Sequence, residues 1–161
     1  MIPEPLRAEA AIHHLLLREG FMTGREVVAW ADAWLMRLDD LPDELVDISL
    51  SRERANDILG ALNRLAPPGL DADTFGRLCQ LLHGQLERSP QALEAITALL
   101  WRVHYDGVDG ARPLTFEPLQ GLYMFREYQN LIPDGYVHLT LDELRGDVLE
   151  FLGGYARRGK A

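Results

Sequence analysis

The amino-acid sequence predicts an all-α protein, and two observations carry that prediction. Apolar side chains recur every three or four residues over most of the chain, which is the spacing of one helix face. Residues typical of helix starts and ends separate these stretches. We therefore expect a single helical domain over residues 1–161, folded as a compact bundle of about six to eight helices. A short extended piece near 135–139 is compatible with this fold.

The first two predicted helices have clear boundaries. The first covers about residues 5–19 and ends at Gly20, a residue type common just after a helix. The second begins at Thr23, because Glu26 follows at the spacing of a capping box. We interpret its two tryptophans as core anchors. The apolar face of this helix contains Val27, Trp30, Ala31, Trp34, Leu35 and Leu38.

Prolines and small polar residues divide the centre of the chain. A short helical turn is expected after Pro42, and Ser51 is expected to cap the next helix. Segment 66–69 must end that helix, since neither of its two prolines can donate a helix hydrogen bond. Two more helices are predicted at about 71–88 and 90–106.

The last third of the chain is less regular before a final helix. Residues 108–113 are expected to form a surface loop, and 118–130 a weaker helix. A turn signal at 133–135 precedes the short extended piece. Thr140 and Glu143 form a second capping box, which predicts where the last helix starts.

The composition limits the classes of partner. The chain has 161 residues, of which 47% are apolar, and a net charge of -9. The charge argues against nucleic acid and anionic membranes as partners, because both require clustered Lys and Arg. The net charge is compatible with a basic protein partner, and it does not exclude a homodimer.

Other features predict a cytoplasmic location. Cys79 is the only cysteine, which excludes an intrachain disulfide and a cysteine-based zinc site. The N-terminal residues lack the basic region and apolar run of a signal peptide. The longest apolar runs, such as 96–101, are too short to span a membrane.

The sequence contains no motif that catalysis or cofactor binding would require. It has no Gly-x-Ser-x-Gly, no His-Glu-x-x-His and no phosphate-binding glycine loop. Histidines and carboxylates share a helix face only at Glu9 with His13 and at His83 with Glu87. We therefore expect no cofactor, no metal ion and no catalytic residue, and we interpret Cys79 as a core residue.

One charged group departs from the usual helix pattern. Acidic residues are unfavourable at a helix C-terminus, yet they cluster where the second helix ends. A helix that starts after Pro42 would place some of them at its favourable N-terminal end. The group is therefore either an ordinary solvated helix start or a docking site for a basic protein. Its members are Asp39, Asp40, Asp43, Glu44 and Asp47.

The same region resembles a known group of proteins. Segment 23–34 contains Trp-Ala-Asp on the capped helix, and segment 41–51 contains Pro-x-x-Leu-x-x-x-Ser-Leu-Ser. In these features the chain is similar to small helical bacterial immunity-type proteins that occur beside polymorphic toxins. The resemblance covers residues 23–51, and it implies a non-enzymatic protein that binds and neutralises a partner.

Three functional hypotheses follow. The first is a protein-binding module, of immunity type, that acts through the acidic group. The second is a small helical enzyme or metal-binding protein that uses His13, His83 or His104 together with carboxylates. The third is a subunit of a helical assembly.

Overall fold

The computed structural model describes residues 1–104, 114 and 124–158. This part of the chain is all-α, with eight α-helices, one short 3₁₀ turn at Pro90–Ala92 and no strand. The fold class and the predicted number of helices are thus confirmed within the described residues. The helices are α1 (Glu4–Arg18), α2 (Gly24–Leu35), α3 (Asp43–Ser49), α4 (Ala55–Leu65), α5 (Ala72–Arg88), α6 (Leu93–His104), α7 (Met124–Leu131) and α8 (Leu141–Arg158).

Two units can be distinguished along the chain. The first unit is Met1–Pro67 and the second is Pro68–Ala161, so the division falls between the two prolines of segment 66–69. The prediction of a single domain over residues 1–161 stays a prediction.

The first unit contains α1 to α4, and its local signals were predicted correctly at α1 and α2. Gly20 follows α1 in a left-handed conformation, with φ of 81°. Thr23 caps α2, because its hydroxyl accepts the Glu26 N–H at 3.2 Å and the Glu26 carboxylate accepts the Thr23 N–H at 3.2 Å. All four helices supply fully buried side chains, among them Leu6, Val27, Leu45, Ile48, Ile58 and Leu62.

The predicted cap at Ser51 is wrong. Arg54 stands at the N-cap of α4 and makes no side-chain cap bond. The buried Ser51 hydroxyl instead donates to the Ile48 carbonyl at 2.6 Å and closes the end of α3. Arg52 and Glu53 then reverse the chain with positive φ angles of 55° and 62°, a conformation that sequence periodicity does not indicate.

The second unit has α5 packed along α8 as its main helix pair. The Phe75 and Tyr155 rings meet edge to face, with centroids 5.0 Å apart, and Tyr155 in turn contacts Phe151 at 5.0 Å. Around them lie buried aliphatic side chains from both helices, including Leu78, Leu82, Leu86, Leu144, Val148 and Leu152. The α5–α8 contact is therefore mainly apolar.

The predicted cap of α8 is present with a changed bond. The Glu143 N–H donates to the Thr140 hydroxyl at 3.1 Å, as expected. The return bond comes from the Thr140 hydroxyl to the Glu143 carboxylate, also at 3.1 Å. A backbone N–H would make that return bond in a full capping box.

Residues 135–139 do not form a β-strand. The preceding turn closes when the Gly135 N–H donates to the Ile132 carbonyl at 3.1 Å and the Tyr136 N–H donates to the Leu131 carbonyl at 3.3 Å. The chain then continues through bends to α8. Within the described residues, the predicted weaker helix appears as α7, over Met124–Leu131. The loop predicted at 108–113 lies outside the described residues, as does the segment 118–123.

Candidate functional site

The acidic group occupies the end of the α2–α3 connection and α3 itself. Asp39 and Asp40 lie in the connection, while Asp43, Glu44 and Asp47 belong to α3. Asp43 and Glu44 occupy the first turn of α3, the position favoured for acids by the helix dipole, as the solvated-start interpretation expects. All members are exposed except Glu44, which is half-buried.

Only one carboxylate of this group has a basic partner in the part of the chain that the structure describes. Asp47 pairs with Arg64 of α4 at 3.0 Å, and both side chains are more than half exposed. A pair of this kind adds little to stability, about 0–1 kcal/mol. Asp39, Asp40 and Asp43 make no ion pair within the described residues. Most of the negative charge of this group is therefore not neutralised by the residues that the structure describes.

Exposed apolar side chains flank the acidic group, a feature that the sequence analysis missed. Met36 is 87% exposed, Leu50 is 72% exposed and Leu41 is 49% exposed. Helical periodicity could not indicate that these side chains are exposed, because Met36 and Leu41 lie outside the helices and Leu50 directly follows α3. These side chains lie in the same stretch of chain as the acidic group, and we call the whole set the α2–α3 surface; its members are Met36, Asp39, Asp40, Leu41, Asp43, Glu44, Asp47 and Leu50.

A polar groove between α3 and α4 adjoins the α2–α3 surface and shares Asp47 and Leu50 with it. Its volume is about 420 Å³. Besides the Asp47–Arg64 pair, it contains the pair of Arg54 with Asp57 at 2.8 Å. The groove therefore carries both signs of charge. Its remaining lining residues are Ser51, Asn56 and Gly60.

The orientation of α2 is fixed by one carboxylate of α1. Oε2 of Glu9 accepts the indole N–H of Trp30 and that of Trp34, both at 2.8 Å. The His13 ring stands edge-on to Trp30, with centroids 4.5 Å apart. Bonds to a charged acceptor are stronger than neutral ones, so this arrangement is a firm α1–α2 contact.

The tryptophans thus have a more specific role than the sequence predicted. Trp34 is buried, as expected of a core anchor, whereas Trp30 is only half-buried. Arg37 lies over the Trp34 ring at 4.2 Å, a cation–π contact. A signal for Glu9 was available, because a carboxylate among the apolar residues of α1 requires a hydrogen-bond partner.

Two further contacts fix the segments on either side of the acidic group. The Ser49 hydroxyl donates to the Asp32 carboxylate at 2.5 Å and joins α3 to α2. At the start of α2, the Glu53 carbonyl comes so close to Gly24 that an added Cβ would lie 2.6 Å from it. The α2–α3 surface is therefore held in a defined conformation.

The histidine candidates do not assemble into a site within the described residues. His13 packs on Trp30, and His83 Nδ1 lies 2.9 Å from the Glu87 carboxylate. The His104 side chain lies outside the described residues. No group of three or more potential metal ligands occurs in the part that is described. The enzyme or metal-binding hypothesis stays a prediction, which elemental analysis of the purified protein would test.

Cys79 is fully buried on α5, as its place on an apolar face predicted. Burial raises the pKa of its thiol far above the usual range, because the thiolate would lose its hydration. The thiolate is the reactive form, so the folded protein offers no reactive cysteine at this position.

Among the described helices, none combines the length and the apolar character that crossing a bilayer would require.

Comparison with known proteins adds no further assignment. No family model matches the chain, and neither a curated protein nor a solved structure is found that is similar to it.

Proposed function

We propose that this protein is a binding module that docks a basic protein partner on its α2–α3 surface. The observation that carries the proposal is the combination of unneutralised carboxylates with the exposed apolar side chains of Met36, Leu41 and Leu50. Either feature alone is common on protein surfaces, because scattered exposed apolar residues and acidic helix starts need no special explanation.

The two kinds of side chain have complementary effects on binding. Carboxylates attract a basic partner over a distance, which raises the association rate and selects against acidic proteins. Apolar side chains add to the affinity when a partner covers them and removes them from water. Hydrogen bonds to Glu9 and to Asp32 already hold α2 and α3 in place. Binding a partner therefore costs little conformational entropy in the α2–α3 surface.

The resemblance to immunity-type proteins supports a more specific form of the proposal. It covers residues 23–51, which include all eight members of the α2–α3 surface. In this form the partner is a basic toxin domain, and the protein neutralises it by occupying its surface without any chemical step.

A charge-reversal experiment tests the proposal. The full-length protein is used to capture partners from the lysate of cells that encode it, and each captured protein is purified for calorimetry. The triple variant Asp39→Lys, Asp40→Lys and Asp43→Lys is expected to bind the partner at least about tenfold more weakly. The folded state should be retained, since all three side chains are exposed.

A control of equal charge change separates specific docking from general electrostatics. The variant Asp134→Lys, Asp147→Lys and Glu150→Lys also reverses three exposed acids, all in the second unit. Its affinity for the partner is expected to change by less than about threefold. If the two variants lose the same affinity, or if neither loses any, the α2–α3 surface is not the binding site.

A further inference from the structure

A cavity between α6 and α7 is the strongest candidate for a second site. It has a volume of about 280 Å³ and lies wholly within the second unit. Helical spacing explains why its lining residues converge, since they occupy one face of each helix. The residues are Ala98, Trp101 and Arg102 from α6 and Arg126, Glu127 and Asn130 from α7.

The described lining of this cavity carries a charge opposite to that of the molecule. Among the described lining residues, Arg102 and Arg126 are positive and Glu127 is negative, in a chain of net charge -9. Arg102 has a contact of its own, so Arg126 is the cation considered for a ligand. Arg126 forms neither a hydrogen bond nor an ion pair within the part of the chain that the structure describes. Its guanidinium can therefore bind a carboxylate through two parallel hydrogen bonds.

The apolar part of the lining favours a flat ring. Trp101 is half-buried, and Ala98, one turn before it on α6, leaves space because its side chain is small. Benzene fits in a protein cavity of about 150 Å³, so this one has room for a ring that bears an anionic group. Asn130 adds an amide that can bond to the same ligand.

We propose that the α6–α7 cavity binds a small aromatic carboxylate, with its ring on Trp101 and its carboxylate on Arg126. A single negative charge is favoured over the double charge of a phosphate ester, because Glu127 offsets one of the two arginines. This site is independent of the α2–α3 surface, so its failure would leave the proposed function untouched.

Fluorine NMR of 4-fluorobenzoate with the full-length protein tests the proposal. We expect saturable binding that is weakened at least about tenfold by Arg126→Gln, which removes the charge. Ala98→Leu should weaken it similarly by filling the cavity while both arginines remain. The matched control Arg88→Gln removes an exposed arginine that does not line the cavity, and it should bind as the unchanged protein does.

Circular dichroism and thermal melting establish that each variant is folded. If Arg126→Gln does not fold, the binding measured with Ala98→Leu still tests the proposal, because this variant keeps every charge in the cavity. The proposal is overturned if 4-fluorobenzoate gives no saturable binding, or if neither cavity variant weakens it. Tighter binding of phenyl phosphate or of inorganic phosphate than of 4-fluorobenzoate would overturn the assignment to a carboxylate.

Discussion

The α1–α2 contact and the α5–α8 contact hold helices together by different physical means. Between α1 and α2, one carboxylate of Glu9 receives two indole N–H groups, which demands correct direction and distance. Between α5 and α8, the Phe75 and Tyr155 rings lie among buried aliphatic side chains. Such a contact has little directional requirement and grows with the apolar area removed from water.

This difference matters for the proposed function. A directional contact fixes how a helix is oriented, and α2 leads into the acidic segment that we propose as the docking surface. An apolar contact mainly supplies stability. We therefore expect substitutions in α5 and α8 to change stability most, and substitutions around α2 to change both stability and partner binding.

The largest effect on stability is expected from Phe75→Ala. The side chain is fully buried, so the change removes apolar contacts and leaves a cavity, at a cost of about 3–5 kcal/mol in the free energy of unfolding. Urea denaturation followed by circular dichroism measures this loss. Leu81→Ala on the same helix is the control, because Leu81 is half exposed and should cost less than about 1 kcal/mol. Equal losses would show that α5 is not packed as described.

A smaller but more specific effect is expected from Glu9→Ala. Two indole donors lose a charged acceptor, which should cost about 2–3 kcal/mol, since the half-buried Trp30 can still reach water. Near-ultraviolet circular dichroism should change as the tryptophans lose their fixed environment. Glu9→Gln keeps an acceptor oxygen and should lose less. Identical stability of Glu9→Ala and the unchanged protein would contradict the proposed role of this carboxylate.

Gly24→Ala tests the close approach at the start of α2. The added methyl group would lie 2.6 Å from the Glu53 carbonyl, so the backbone must shift at a cost of about 1–3 kcal/mol. Gly146→Ala is the matched control in α8, where nothing lies within 4 Å of the added Cβ. It should raise stability by about 0.5–1 kcal/mol through helix propensity. Opposite signs of the two changes in melting temperature are expected, and equal signs would count against this packing.

The smallest effect on stability is expected from Arg64→Gln. This exposed residue pairs with Asp47, so its loss should cost less than about 1 kcal/mol in urea denaturation. The same change leaves Asp47 without its partner and should strengthen binding of a basic protein. Weaker binding would mean that Arg64 itself contacts the partner.

Sequence analysis predicted those features that depend on residues within one helical turn of each other. The Thr23 cap depends on Glu26 only three residues away, and the burial of Cys79 follows from helical spacing alone. The Ser51 cap was wrong because two consecutive residues take left-handed conformations that their types do not indicate. This failure lies in the backbone conformation of Arg52 and Glu53, which helical periodicity does not encode.

Features that join separate helices could not be predicted. Glu9 meets its tryptophan partners more than twenty positions along the chain, and only the packing of α1 on α2 brings them together. The exposure of Leu50 likewise depends on how α3 and α4 pack, since an apolar residue beside a helix is usually assigned to a core. The acidic group was found from sequence alone, while its apolar neighbours required the structure.

The association rate of the complex with the captured partner tests the central claim most directly. Stopped-flow measurements at low and high salt would compare the unchanged protein with Asp39→Lys, Asp40→Lys, Asp43→Lys and with the control reversal in the second unit. We predict that the α2–α3 reversal lowers the low-salt rate at least about tenfold and removes most of its salt dependence, while the control does neither. An unchanged rate and salt dependence in the α2–α3 variant would contradict the proposal.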